Sequence, residues 1–97
     1  MKFKTLLMDK REEILQIATK HGAYNVRIFG SVARGEETEE SDIDFLIDYD
    51  LEKITPWFPS KLMRDLQTLL GTKVDIVTER GLKERVREKV LQEAIKL

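Results

Sequence analysis

Three acids and a short turn carry the chemistry that this chain offers. Gly30-Ser31 is followed, after ten residues, by Asp42-Ile43-Asp44, and a further carboxylate stands at Asp75 within Lys73-Val74-Asp75-Ile76-Val77. The turn follows Tyr24-Asn25-Val26-Arg27-Ile28-Phe29, a stretch of strand composition, and precedes Val32-Ala33-Arg34, which reads as the first turn of a short helix ending near Gly35. A strand-turn-helix passage leaves backbone N–H groups unpaired at the helix start, where the dipole favours an anion. Gly30 has no Cβ and lets the backbone come close to a phosphate. Ser31 offers a hydroxyl either to cap the helix or to bind a phosphate oxygen. Arg34 lies on the same side of that turn, with a guanidinium fork suited to a triphosphate. By themselves these residues read rather as a plain serine cap and a surface arginine.

The carboxylates change that balance. Residues 42–47 have strand composition apart from their acids. Side chains alternate along a strand, so Asp42 and Asp44 share a face with Cα atoms about 6.6 Å apart. Two bare carboxylates on one strand repel each other, and a divalent cation resolves the conflict. Mg²⁺ prefers hard oxygen ligands and binds one or two carboxylates together with substrate phosphates. Paired ions about 3.5–4 Å apart activate an attacking oxygen and stabilise a leaving one. Asp75 is then a third ligand, or the base that accepts the nucleophile's proton. The pattern points to nucleotidyl transfer.

The fuller run Phe29-Gly30-Ser31-Val32-Ala33-Arg34-Gly35 … Ser41-Asp42-Ile43-Asp44 resembles the signature of the DNA polymerase beta-type nucleotidyltransferase superfamily. More closely, the chain resembles the minimal nucleotidyltransferases, short bacterial and archaeal proteins encoded beside a HEPN-domain partner. The likeness extends to Gly71-x-Lys73-Val74-Asp75-Ile76-Val77-Thr78 and to a later Val90-Leu91-x-Glu93-Ala94. The resemblance implies the nucleotidyltransferase fold, with Gly30 and Ser31 in the triphosphate-binding turn. It implies that Asp42 and Asp44 form the metal-binding pair and that Asp75 is the third acidic position. In that superfamily a nucleoside monophosphate passes from a triphosphate to a hydroxyl, and pyrophosphate leaves. The paired systems imply ATP as substrate, Mg²⁺ as cofactor and a HEPN toxin as partner, silenced by adenylylation of a tyrosine. Two other readings stand beside this one. The chain is an antitoxin that acts by binding alone, or it is a transferase for a small hydroxylated molecule.

Length and composition bound these readings. Ninety-seven residues make one domain, expected over 1–97, that buries roughly 60–65% of its unfolded surface. A site built from so little chain is expected to be open, so that the acceptor's own surface completes it. The net charge of −1, from 17 basic and 18 acidic residues, gives no general attraction to nucleic acid. There is no cysteine, hence neither a disulfide framework nor a thiolate metal site. No apolar run approaches a membrane span and no signal-like segment opens the chain, so a cytoplasmic protein is expected.

The remaining elements predict an α/β (α+β) arrangement of helices packed on a small mixed sheet. Asp9-Lys10-Arg11-Glu12 reads as a capping box, followed by a stripe of Ile14, Leu15, Ile17, Ala18 and His21 that ends at Gly22. Residues 3–8 are expected to extend that helix. A helix over about 59–70 is expected to bury Leu62, Met63, Leu66, Leu69 and Leu70 and to stop at Gly71. A final helix over about 82–96 shows Leu82, Val86, Val90, Leu91, Ala94 and Ile95 on one side. Several other residues carry no chemistry in this reading. His21 sits at a helix C-terminus, where a partly charged imidazole suits the dipole. Glu36, Glu37, Glu39 and Glu40 read as a solvated loop, and Asp48 as lying towards the opposite end of the sheet. Trp57 and Phe58 fit neither periodicity. They form a lid on the core or a docking patch for the partner.

Overall fold

The computed structural model describes residues 2–38 and 40–97. The chain begins with two helices, α1 (Lys2–Asp9) and α2 (Arg11–Lys20). It then forms strand β1 (Ala23–Phe29), the short helix α3 (Gly30–Arg34), strand β2 (Ile43–Tyr49), helix α4 (Ser60–Leu70) and strand β3 (Val74–Thr78). A 3₁₀ turn at Glu79–Gly81 leads into α5 (Glu84–Glu93) and a two-residue strand, β4 (Ile95–Lys96). The strands lie in the order β3-β2-β1-β4. β2 and β3 run parallel while β1 is antiparallel to both β2 and β4, so the sheet is mixed, as expected. The parallel pair needs a crossover, and α4 supplies it.

Alternation along the strands fixes which face each residue serves. Ile43, Phe45 and Ile47 of β2 join Val26 and Ile28 of β1 and Val74 of β3 in one buried cluster. Ile14 and Ala18 of α2 and Leu62, Leu66 and Leu70 of α4 close over them. The spacing of those three leucines by four residues puts them on one helical stripe, and burying each contributes roughly 1.5–3 kcal/mol. The intervening residues of β2, Asp44, Leu46 and Asp48, face the other way. Thus the same alternation that builds the core delivers Asp44 to the opposite face of the sheet.

β1 carries a bulge. Tyr24 pairs with Asp48 and Arg27 with Leu46, so three steps on β1 answer two on β2, and Asn25 takes φ 51° within the bulge. Asn25 Nδ2 donates to Asp48 Oδ2 at 2.9 Å. The extra residue keeps Arg27 on the face of Asp48, where its Nη2 lies 3.2 Å from Asp48 Oδ1 and its Nη1 2.6 Å from Glu79 Oε1. Asp48 is therefore committed to structure at the far end of the face that bears Asp44.

The expected capping box at Asp9 does not form. Asp9 is the last residue of α1, and α2 follows after a single break at Lys10 with no side-chain cap. Backbone bonds from Lys10 N to Leu6 O and from Ile14 N to Lys10 O keep the two helices nearly continuous, which leaves no open helix start for Asp9 to cap. The final helix is shorter than its stripe predicts. It stops at Glu93, and Ile95 and Lys96 pair with Ile28 and Arg27 of β1. Of its apolar side only Val90 is buried, while Val86, Leu91 and Ile95 stay substantially exposed. His21 is the C-cap of α2, and its Nε2 lies 2.7 Å from Asp65 Oδ2 of α4. That bond joins the two helices and holds the Asp65 carboxyl below the usual range. The two aromatics in question part company. Phe58 packs against the core and its ring meets Tyr49 at 5.4 Å, whereas Trp57 is 65% exposed.

Candidate active site

The turn and the acids meet at one end of the sheet, where β1 leaves it and β2 and β3 enter. Asp44 is the second residue of β2 and Asp75 the second of β3, and the two are register partners on neighbouring parallel strands. Partners of this kind project to the same face. On the other side Asp44 pairs with Phe29, the last residue of β1, which places Gly30 beside it. Gly30 has φ 75°, and a Cβ built there would collide with Asp44 Oδ2. Glycine is required here twice, once by the backbone and once by the carboxylate.

α3 starts at Gly30, so Ser31 lies inside its first turn rather than at the cap, and the cap position falls to Phe29, which makes no side-chain bond to the helix. The Ser31 carbonyl accepts from the Glu36 N–H at 2.8 Å, and Gly35 closes the helix in the left-handed conformation. This tight return turns the chain away after one and a half turns.

Asp44 is the most perturbed of the acids. Its pKa is raised from 3.8 to about 6, first by burial, then by the charges of Asp75 and Asp42, with the Arg34 charge opposing. The order of causes is informative. Asp44 sits in a part-buried niche, and Asp42, Asp75, Arg34 and Glu93 all lie close enough for their charges to be felt there. Asp42 immediately precedes β2 and is exposed, bordering a depression with Glu40, Ser41, Thr72 and Lys73. Asp75 is also exposed. Arg34 is held by two carboxylates: its Nε lies 2.6 Å from Glu36 Oε1 and its Nη1 2.7 Å from Glu93 Oε2.

The donors suit a hard divalent cation. They are carboxylate oxygens that repel one another, and a cation relieves that repulsion more fully than a proton on Asp44 does. Among the described residues no group of three or more acids or histidines is drawn tightly enough to make a finished cation cage. Exposed Asp42 and Asp75 flank part-buried Asp44 as an open set.

Comparison with known proteins gives the family. The nucleotidyltransferase domain family matches residues 10–97. The chain belongs to that family. The protein adenylyltransferase MntA of Thermococcus cleftensis is 34% identical over 93 residues, covering 87% of this chain and 92% of that one. MJ1379 of Methanocaldococcus jannaschii, provisionally named a protein adenylyltransferase, is 36% identical over 89 residues, covering 90% and 86%. A solved structure provisionally described as a minimal nucleotidyltransferase superposes with a TM-score of 0.82 at 50% identity, over 94% of this chain and 92% of its own. A toxin-antitoxin crystal structure with AMP-PNP shares the fold, with a TM-score of 0.72 at 20% identity over 88% and 69% of the two chains. The mixed α+β architecture is that of the nucleotidyltransferases.

Within this nucleotidyltransferase, the structure brings Gly30, Asp42, Asp44, Asp75 and Arg34 into one neighbourhood and leaves Asp48 and His21 outside it. Two residues at this end have no chemical role in the sequence reading. Glu36 was counted with a solvated run, yet it is bonded to Arg34. Its signal was its place just past Gly35, where the chain doubles back. Glu93 arrives from a helix 59 positions away in sequence, and the family-like run that contains it, Val90-Leu91-x-Glu93-Ala94, assigns it no role. Of the rest of that run, Glu37 carries a buried Oε1 with no hydrogen-bond partner, Glu40 stays exposed, and Glu39 lies outside the described residues.

Proposed function

We propose that this nucleotidyltransferase moves AMP from ATP to a hydroxyl of a partner protein, as the antitoxin of a toxin-antitoxin pair. The observation that carries the reading is the in-register pair Asp44–Asp75 set against Gly30, with Asp42 near enough to raise the Asp44 pKa. Kinship with the protein adenylyltransferase MntA supports the choice of a protein acceptor, and the toxin-antitoxin fold neighbour supports the setting. The partner is a HEPN-domain toxin, the acceptor a tyrosine on it, and the compartment the cytoplasm.

In this mechanism Gly30 and Ser31 receive the triphosphate at the start of α3, and Arg34 contributes positive charge beside it. Asp42, Asp44 and Asp75 would hold Mg²⁺, in the form of two ions, which supplies Lewis-acid stabilisation of charge on the phosphates. The acceptor hydroxyl attacks the α-phosphorus, a new P–O bond forms, and the bond to the β-phosphate oxygen breaks as pyrophosphate leaves. Asp75, exposed at the edge of the set, takes the hydroxyl proton or serves as a ligand. Catalysis is mostly orientation and charge stabilisation. The acids stand at an open end of the sheet, so the acceptor's surface closes the site. The whole of 1–97 acts as one domain.

The test uses the protein encoded beside this chain, incubated with it, Mg²⁺ and ATP labelled on the α-phosphate. Label should pass to that partner, and Asp42→Asn with Asp44→Asn should abolish both transfer and neutralisation. Undiminished neutralisation by the double variant would instead establish occlusion as the mechanism. Labelling of hydroxylated small molecules, with none on protein, would move the activity to the metabolite class.

A further inference from the structure

We propose that Glu93, at the end of α5, is a positioning residue that holds Arg34 ready for the triphosphate, a role that rests on the nucleotidyltransferase reading above. Arg34 is a cation whose charge is felt at Asp44, and it opposes the acids there. A free arginine on a five-residue helix would sample many rotamers, and fixing it on ligand arrival costs up to about 2 kcal/mol. Here the fixing is done beforehand. Nε donates to Glu36 at 2.6 Å and Nη1 to Glu93 at 2.7 Å. Among the described residues no protein acceptor engages Nη2, so the guanidinium keeps donors for a ligand.

The two carboxylates are unequal anchors. Glu36 is 64% exposed on a loop, while Glu93 is 17% exposed on α5. Glu93 therefore sets the orientation and Glu36 follows. A carboxylate near a triphosphate also repels it, so two effects compete. The Glu93 charge is spent on Arg34 through a charge-assisted bond, and its residual field is screened at this open surface. Pre-ordering then outweighs repulsion, as it does generally when a binding side chain is locked in advance.

Affinity for Mg·ATP, measured by calorimetry on the full chain, separates these effects. Glu93→Ala should weaken binding about tenfold, and Glu93→Asp, which keeps the charge but withdraws the carboxylate by one methylene, should weaken it similarly. Glu93→Gln keeps an acceptor at the right reach and should stay within about threefold of the parent. In an Arg34→Ala background, Glu93→Ala should add nothing. Thermal melting of each variant identifies any loss of fold, and the Asp and Gln variants carry the test if the Ala variant does not fold. Unchanged or tighter binding by Glu93→Ala or Glu93→Asp overturns the proposal. So does an equal loss in the Arg34→Ala background, which would mark Glu93 as merely structural. A parent chain that binds no Mg·ATP overturns the nucleotidyl-transfer reading as well, whereas parental binding with no Glu93 effect overturns the positioning role alone.

Discussion

Replacing Asp44 by asparagine should make the metal-free protein more stable. In the folded chain the Asp44 pKa stands at about 6 against an ordinary value of 3.8. The folded state therefore holds its proton more tightly than the unfolded state does. The stability that this proton provides is complete below about pH 4 and is lost as pH rises through about 6. At neutral pH the fold carries an ionised Asp44 that burial and the neighbouring carboxylates of Asp75, Asp42 and Glu93 disfavour. A shift of about two units corresponds to about 3 kcal/mol, but the side chain is only part-buried, and solvent screening reduces this to about 1–1.5 kcal/mol. Asparagine has nearly the same shape and no charge, so it should recover that amount. For a domain of this size the gain corresponds to a melting temperature higher by about 5–10 °C at pH 7.5. Melting followed by circular dichroism from pH 4 to 7.5, in chelator, gives the curve. The gap between variant and parent should open between about pH 4 and 6 and be negligible below. Added Mg²⁺ with ATP should raise the parent more than the variant. An asparagine variant no more stable than the parent at pH 7.5, or one whose advantage persists unchanged at pH 4, would refute the electrostatic account of Asp44.

Gly30→Ala should displace the Asp44 carboxylate, since the added Cβ collides with Oδ2 while the backbone stays at φ 75°. A loss of about 1–2 kcal/mol in urea denaturation is expected, together with loss of label transfer at full occupancy of the folded state. Phe58→Ala should lower stability by about 2 kcal/mol because the ring packs on the core and on Tyr49. Trp57→Ala should leave melting within about 0.5 kcal/mol and, with that exposed ring as part of the docking surface, weaken pull-down of the proposed toxin partner.

The elements legible in the sequence were those whose local pattern and tertiary role coincide. The α4 stripe, the glycine stop at Gly71 and the period-two acids of β2 each say one thing locally and do the same thing in the fold. Failures fell where the two diverge. Ile95 continues the helical stripe of α5, yet its backbone is taken by the edge of β1, and a two-residue strand is too short to announce itself by alternation. Asp9 has the chemistry of a cap but finds no helix start to cap, because α1 and α2 nearly merge at Lys10. In the site, Gly30, Asp42, Asp44 and Asp75 could be named because turn chemistry and strand parity place them. The partners of Arg34 could not, because they depend on where α5 docks, and docking is written in no single segment.

This difference between strand-borne and helix-borne residues bears on how the site would work. Asp44 and Asp75 are fixed by sheet register, and the core beneath β2 does not allow one to slide past the other without turning Phe45 and Ile47 out to solvent. Their mutual repulsion is therefore permanent, and it is held in place by the most deeply buried strand of the molecule. Arg34 and Glu93 sit on short or partly exposed helices and are joined to each other by one charge-assisted bond. The acids are therefore set by the sheet, and the arginine by the bond that Glu93 makes to it. In the proposed reaction the register-fixed acids would hold the cation, and the salt bridge between α3 and α5 would keep the arginine aimed at the triphosphate.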